Sequence, residues 1–417
     1  MGQTMAEKVF SRKVGRPVNV GEYITTSPDR VMSHDFFVLA SPKFDSFKID
    51  RLWDPERVII ILDHYIPAPN EKKAEDHRIV REMVRRFGIT HFHGERDGIC
   101  HQVMIENGYV RPGDLILGTD SHTCTYGALG AAATGIGMSE MVYVLATGEL
   151  WFQVPPTIRL RLTGKLPDKV FAKDVSLAIA GRFGTEFAQY RAIEFLGELA
   201  AAFSIESRLV LSNMSVEFGA KFGFFEVDEK ALRYLKSVGI EGEGPFGPDE
   251  NALYENDFEL DVTNLDPLVA VPHSVEDIKP VQEIAGEPIH QALLGCCTNG
   301  RLEDLRAAAE FLKGKQVAPS VRLLIYPASR KILRQAIEEG LIQTLIDAGG
   351  ILCPPSCGPC FGDHGGILAP GESCISSTNR NFKGRMGSSE AKVYLASPLT
   401  VAASAWKGAI MDPREVS

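Results

Sequence analysis

The sequence has no apolar run approaching the roughly 18 residues that a membrane-crossing helix needs. Its first turns are interrupted by Glu7, Lys8, Arg12 and Lys13, so they lack the apolar stretch of a secretion signal. Ala6 stands where a myristoylation motif has Ser or Thr. A basic excess is also missing. The 44 Lys and Arg face 54 Asp and Glu, a net charge of −10, which leaves no basic stripe for a nucleic-acid backbone. A site for an anionic substrate must therefore make its own local positive charge. There is no low-complexity tract, no repeat of solenoid period and no GxxxxGK[ST] phosphate loop, and Gly135-Ile136-Gly137 lacks the third glycine of a dinucleotide motif. These absences leave a cytoplasmic protein with no membrane and no nucleic-acid partner. In that compartment thiols stay reduced, so the eight cysteines read as ligands, nucleophiles or packed residues instead of disulfides.

What is present is an ordinary globular composition, 44% hydrophobic and 24% charged over 417 residues, long enough for about three domains. Strand-like and helix-like segments alternate. Arg57 to Asp63, Asp114 to Asp120 and Thr157 to Gly164 read as strands, and Ala74 to Phe87 as an amphipathic helix with Val80, Met83 and Val84 on one face. Ser139 to Gln153 reads as a helix capped by Ser139. The fold class is α/β. Pro155-Pro156 and the polar stretch from Gly242, followed by a crossing segment from Pro272 to Gly286, divide the chain into blocks 1–155, 156–285 and 286–417.

Chemistry concentrates in two places. CPPSCGPC places Cys353, Cys357 and Cys360 within eight residues, a spacing suited to a soft metal centre. Only one CxxC occurs, where zinc commonly uses two. The C-x3-C-x2-C spacing is also that of radical enzymes cleaving S-adenosylmethionine, but those carry the triplet early, with an aromatic before the last cysteine, where this chain has Pro359. A third ligand is available from Cys296-Cys297, after the apolar strand QALLG and before a helix near Leu302. Three thiolates on a four-iron cluster leave one iron open to act as a Lewis acid. The second concentration is of histidines beside carboxylates: His34-Asp35, Asp63-His64, His101, and Asp120-Ser121-His122. Asp63 and Asp120 fall at strand ends, where ligand crevices open in α/β sheets, and such pairs suit general acid–base work. His91-Phe92-His93 reads as strand alternation, Cys100 and Cys124 as packing, and the glycines from Gly127 to Gly137 as close packing.

LGTDSHTCTYGALGAAATGIG, LLGCCTNGR, CGPCFGDHGG and STNRNFKGRMG together resemble the aconitase superfamily, within it the large subunits of the 3-isopropylmalate dehydratase and homoaconitase branch, over nearly the whole chain. The resemblance implies three α/β domains packed around a central iron–sulfur cluster crevice. It implies that Cys297, Cys357 and Cys360 hold a [4Fe-4S] cluster with one iron not bound by cysteine. It gives Asp63 and His64 to the leaving hydroxyl, pairs His101 with Glu217, and adds Asp120, Ser121 and His122. Arg380 and Arg385 would bind substrate carboxylates, Asn213 and Asn379 would lie near the cluster, and His34 would be a polar substrate contact. The usual motif is G-S-C-T-N-G, so Cys296 stands where Ser is common and reads as a packed neighbour; Cys353 reads as structural. The implied reaction is isomerisation of a hydroxy di- or tricarboxylate by dehydration and rehydration, foremost 2-isopropylmalate to 3-isopropylmalate in leucine biosynthesis. Homoaconitase and a dimethylmalate-type dehydratase are alternatives. An iron sensor binding RNA after cluster loss is a rival of another class, which the acidic balance opposes. The helix-like LTVAASAWKGAI lies close to Ser417, leaving no room for a swivelling domain, so a separate small subunit is expected to supply that domain and its serine base.

Overall fold

A computed structural model describes residues 2–416. Three sheets organise it, with a short antiparallel pair, Tyr23–Thr26 against Leu150–Gln153, at one side. The first sheet is parallel, in the order His91–His93, Val58–Ile61, Arg30–Ser33, Leu115–Gly118, Ala132–Gly135. The strand Val58–Ile61 is apolar throughout, as befits a strand covered on both faces; all four of its residues are buried, each side chain contributing about 1.5–3 kcal/mol. A second parallel sheet runs Phe222–Phe225, Ala192–Leu196, Thr157–Thr163, Asn256–Asp261.

The third sheet has seven strands. Five are parallel, in the order Lys392–Ala396, Ser373–Ser376, Gln291–Gly295, Arg322–Tyr326, Ile351–Leu352. Counted along the chain, these follow the same 3-2-1-4-5 winding as the first sheet. Each sheet therefore reverses direction beside its first strand, and there a crevice opens at the strands' carboxyl ends. The two crevices face each other: the Cys357 N–H donates to the Asp63 carbonyl at 3.0 Å.

Two sequence expectations shift. Strands Leu268–Ala270 and Ile278–Pro280, assigned to the middle block, extend the third sheet: the first pairs antiparallel with Lys392–Ala396 and the second antiparallel with the first. The apolar LVA run covers what would be an exposed edge. The helix expected over 139–153 is Met138–Thr147, followed by the strand Leu150–Gln153. Its N-cap is Gly137, whose N–H is taken by Glu140 at 2.8 Å, not Ser139. Gly148, at φ +80° and pressed against the Trp53 ring, ends it. No helix among the described residues is long and apolar enough to cross a membrane.

Away from the crevice, Glu194 is buried and accepts from the Met5 N–H (2.6 Å) and the Tyr254 hydroxyl (2.7 Å). Burial nevertheless pushes its carboxyl up to about 7. A carboxyl raised on folding contributes fully below its unfolded value, and that stability is lost as pH rises through the folded value. Glu194→Gln is therefore expected to be more stable than the parent at pH 8, by up to about 3 kcal/mol. The gap in thermal midpoints should shrink as pH is lowered towards 5.

Candidate active site

The first crevice supplies the acid–base groups. Asp35 follows the strand Arg30–Ser33 and is buried. Its carboxylate accepts the backbone N–H groups of Asp63 (2.8 Å), His64 (2.9 Å) and Tyr65 (3.1 Å), and His77 Nε2 lies 2.8 Å away. Burial opposes the charge, yet His77, His64 and His34 outweigh it and hold Asp35 below the usual carboxylate range. The anion fixes the turn carrying Asp63 and His64. His64 Nδ1 lies 2.6 Å from Asp63 Oδ1, and Asp63 Oδ2 accepts the Cys100 N–H at 2.7 Å. His34 stacks on His64 with ring centroids 4.1 Å apart, and its Nδ1 is buried without a partner. Burial disfavours a proton on His64, but Cys357, Asp63 and Asp120 outweigh it and hold the imidazolium well above its ordinary range.

The second set gathers on Asp120, two residues beyond the strand Leu115–Gly118. His101 Nε2 lies 2.9 Å from Asp120 Oδ1, and the same oxygen accepts the His122 N–H at 2.7 Å. The pairing of Glu217 with His101 is corrected here: Glu217 Oε1 lies 2.8 Å from His122 Nε2. The 3-10 turn Ser121–Leu129 swings His122 towards the middle block, where Glu217 follows the helix Ile205–Met214, whereas His101 sits on Cys100–Glu106 and meets Asp120. Arg380 Nε donates to the same Glu217 oxygen at 2.7 Å. Burial and Arg380 push the His122 imidazolium down, but Asp120 and Glu217 lift it to about 9. Ser121 Oγ stands 3.4 Å from His122 Nδ1. A cleft of about 400 Å³ opens beside Ser121, lined also by Thr119, Gly135, Val216 and Lys221. A larger cleft of about 630 Å³, around His93 and Arg334, holds none of these groups.

The opposite crevice carries the thiols. Gly295 ends its strand at φ +142°, where a Cβ would strike the Tyr326 carbonyl oxygen, and Cys297 follows in the turn Cys296–Asn299. The side-chain amides of Asn213 and Asn379 each reach Cys297 Sγ at 3.4 Å, and Asn379 Oδ1 lies 3.5 Å from Cys360 Sγ. Cys357 is half-buried, 4.0 Å from Asp63 Oδ2. Arg385 lies beside Cys360; burial opposes its charge, but the thiol's negative field raises it, and its Nε has no partner. A hydrogen bond from Cys296 pulls the Cys360 thiol down to about 6.

These donors fit a polynuclear group better than one ion. Two sulfurs bound to one zinc at about 2.3 Å stand at most about 4.6 Å apart. Among the described residues, the group of three or more donors gathered within 4.8 Å is His34, Asp35, Asp63 and His64, not the three thiols. Asp35 already spends both oxygens on backbone N–H groups, and Asp63 divides its two between the His64 ring and the Cys100 N–H, so that group is an acid–base constellation.

Several contributors carried no sequence signal of their own. Lys173, on the helix Ala172–Phe183, is fully buried with no carboxylate hydrogen-bonded to it among the described residues. Its Nζ donates to the Ser377 carbonyl at 3.4 Å and to that of Thr378. Burial pushes it down to about 8, against the pull of Cys296, Cys360 and Cys297. Arg301, also buried, clamps the Cys297 and Thr298 carbonyls at 2.8 and 2.7 Å. Cys353 packs at the rim, and Cys100 and Cys124 are buried outside the thiol group. His93 is held by Asp97 (3.1 Å) and the Tyr109 hydroxyl (3.0 Å).

The sequence and fold also match known proteins. The family model described as Aconitase family (aconitate hydratase) covers residues 7–408. The 3-isopropylmalate dehydratase large subunit 1 of Methanopyrus kandleri is 49% identical, over 99% of this chain and 99% of its own length. The 3-isopropylmalate dehydratase large subunit of Moorella thermoacetica is 45% identical, over 100% of both. A probable methanogen homoaconitase large subunit of Methanothermobacter thermautotrophicus is 44% identical, over 99% of this chain and 97% of its own. The crystal structure of Thermococcus kodakaraensis aconitase X aligns with TM-score 0.52 over 93% of this chain and 94% of that one, at 14% identity, which bears on the fold alone. By the family match and these identities, the chain belongs to the aconitase family, and that membership implies an iron–sulfur cluster.

Proposed function

We infer that this chain is the cluster-bearing large subunit of a hydro-lyase that converts 2-isopropylmalate to 3-isopropylmalate by dehydration and rehydration. The observation that carries the reading is the meeting of two Asp–His pairs and three thiols across two facing crevices. Cys297, Cys357 and Cys360 would hold a [4Fe-4S] cluster. When bound, that cluster supplies a Lewis acid at the iron that cysteine leaves free. Hydroxide leaves poorly, so a proton must reach it as the carbon–oxygen bond breaks. His64, oriented by Asp63 and favoured in its protonated form by Cys357, Asp63 and Asp120, is the donor. The hydrogen removed lies α to a carboxylate, whose charge grows in the transition state. Arg385 and the free end of Arg380 stabilise that charge, each by on the order of 1.5–3 kcal/mol. Asp120 holds His101 and His122 in fixed orientation; Ser121 borders the cleft, His34 stacks on His64, and Asn213 and Asn379 stand beside the Cys297 sulfur.

The base that takes the carbon-bound proton is expected on a separate small subunit. The serines of the STNRNFKGR segment are committed elsewhere: Ser377 Oγ accepts the Gly295 N–H at 3.0 Å, and Ser376 Oγ donates to Thr378 Oγ1 at 2.8 Å. Reduced, unpaired thiols suit a cytoplasmic setting. The homoaconitase name among the relatives supports a second substrate. Turnover of 2-isopropylmalate, homocitrate and dimethylmalate by the reconstituted pair decides it; preference for either of the latter overturns the substrate assignment.

Lys173 is a fully buried cation within the field of Cys296, Cys360 and Cys297, and it would offset the charge they carry when loaded. Lys173→Met is expected to retain less iron per chain after anaerobic reconstitution, read by metal analysis.

A further inference from the structure

Gln102 stands where the two halves of the site meet. It follows His101 on the helix Cys100–Glu106 and is 5% exposed. Its Oε1 accepts Arg301 Nε at 3.0 Å, and its Nε2 donates to Glu106 Oε1 at 2.8 Å. Glu106 also accepts the Ser329 hydroxyl at 2.7 Å. Arginine only donates and a carboxylate only accepts, so an amide suits the place between them. Arg301 is itself 1% exposed, and its Nη atoms donate to the Cys297 and Thr298 carbonyls at 2.8 and 2.7 Å. The first turn of the Gln102 helix meets both acid–base carboxylates. The Cys100 N–H donates to Asp63 at 2.7 Å, and His101 Nε2 lies 2.9 Å from Asp120. One helix thus reaches Asp63, Asp120 and, through Gln102 and Arg301, the backbone of Cys297.

We propose that Gln102 is a positioning residue that braces the Cys297 turn against the helix carrying His101, so that the cluster and the acid–base groups are held in one register. This rests on the reading of Cys297 as a cluster ligand. The turn Cys296–Asn299 is only four residues long, too short to hold its shape by its own hydrogen bonds. Arg301 ties two of its carbonyls, and Gln102 fixes Arg301. The amide also keeps the guanidinium apart from Glu106. All three of the bonds that Arg301 makes through its side chain go to neutral oxygens, and a charged acceptor holds a guanidinium more strongly than a carbonyl does. Without the amide, Arg301 Nε and Glu106 each lose a buried partner, and Glu106 competes with the Cys297 and Thr298 carbonyls for the cation. The turn then loosens from the helix, while the fold around it keeps its core. A shift of about 1 Å between reacting groups costs on the order of 10²-fold in rate.

The test compares the full chain and its variants, each reconstituted anaerobically, for the rate at which a ferrous chelator removes iron. The same loaded chains, joined to the small subunit, are assayed for kcat and KM on 2-isopropylmalate. Gln102→Leu has a similar volume and lacks the amide. It should load iron, release it several-fold faster than the parent, and turn over about 10²-fold more slowly with KM unchanged. Ser329→Ala takes a different hydrogen bond from the same Glu106 oxygen without touching Arg301. It should match the parent in both iron release and kcat, which separates bracing from the general loss of a buried hydrogen bond. Should Gln102→Leu not fold, Arg301→Lys, which keeps the charge but not the fork, should show the fast release and the low kcat. Parental release and kcat in the Gln102 or Arg301 variant, or equal losses in Ser329→Ala, would overturn the proposal. Failure of the parent itself to take up iron would instead overturn the cluster reading, and the brace with it.

Discussion

Cys357→Ser is expected to yield a chain that binds no cluster, whereas Cys353→Ser keeps it. The two cysteines are four residues apart and look alike in the sequence, but the structure gives them different surroundings. The Cys357 N–H is tied to the Asp63 carbonyl at 3.0 Å, which locks its turn to the acid–base crevice, and Gly358, at φ +50° against the Tyr326 ring, holds the bend towards Cys360. The Cys353 N–H donates to the Ile325 carbonyl at 2.9 Å, and its sulfur points back along its own strand to the Ile351 carbonyl at 3.6 Å. Loss of one of three thiolates leaves two, too few to hold the cluster. Iron and sulfide per chain after anaerobic reconstitution measure the effect. The loaded parent should also give a three-iron paramagnetic signal on brief oxidation. Equal loss in both variants would mean that the ligand set is wrong.

His64→Ala and Asp63→Asn are expected to lower turnover by about 10²–10⁴-fold with the cluster intact, the usual consequence of removing a general acid or its orienting partner. The Asp63 change acts at two points, since its carboxylate both holds His64 at 2.6 Å and accepts the Cys100 N–H at 2.7 Å. An asparagine keeps one acceptor and cannot stabilise the imidazolium. Turnover of the loaded variants, normalised to iron content, separates this loss from cluster loss. Near-parental turnover in His64→Ala would remove that residue from the mechanism.

Much of the fold could be read from local pattern, because buried parallel strands are continuous apolar runs: VIII and QALLG are strands as expected. What escaped depends on distant contacts. The strand Leu268–Ala270 enters its sheet by pairing with Lys392–Ala396, far along the chain, and no local pattern reveals that partner. The break at Gly148 follows from the Trp53 ring, brought from almost a hundred residues away. In the site, side chains adjacent to a motif were legible, but their partners were not. Whether His101 or His122 meets Glu217 depends on the rotation of a short 3-10 turn. Asp35 was visible beside His34, yet its work on three N–H groups of another loop was not. Lys173 stood out in no motif, and only the fold buries it, against the Ser377 and Thr378 carbonyls.

The central claim is that this chain supplies the cluster and the acid–base groups while a second subunit completes the site. Its most direct test is hydration of the unsaturated isopropyl-substituted diacid by the reconstituted chain, followed by loss of the alkene absorbance, with and without the candidate small subunit. The account predicts hydration only when the cluster and the small subunit are both present. Full activity from the cluster-loaded chain alone, or activity of the pair that survives removal of the cluster, would contradict it.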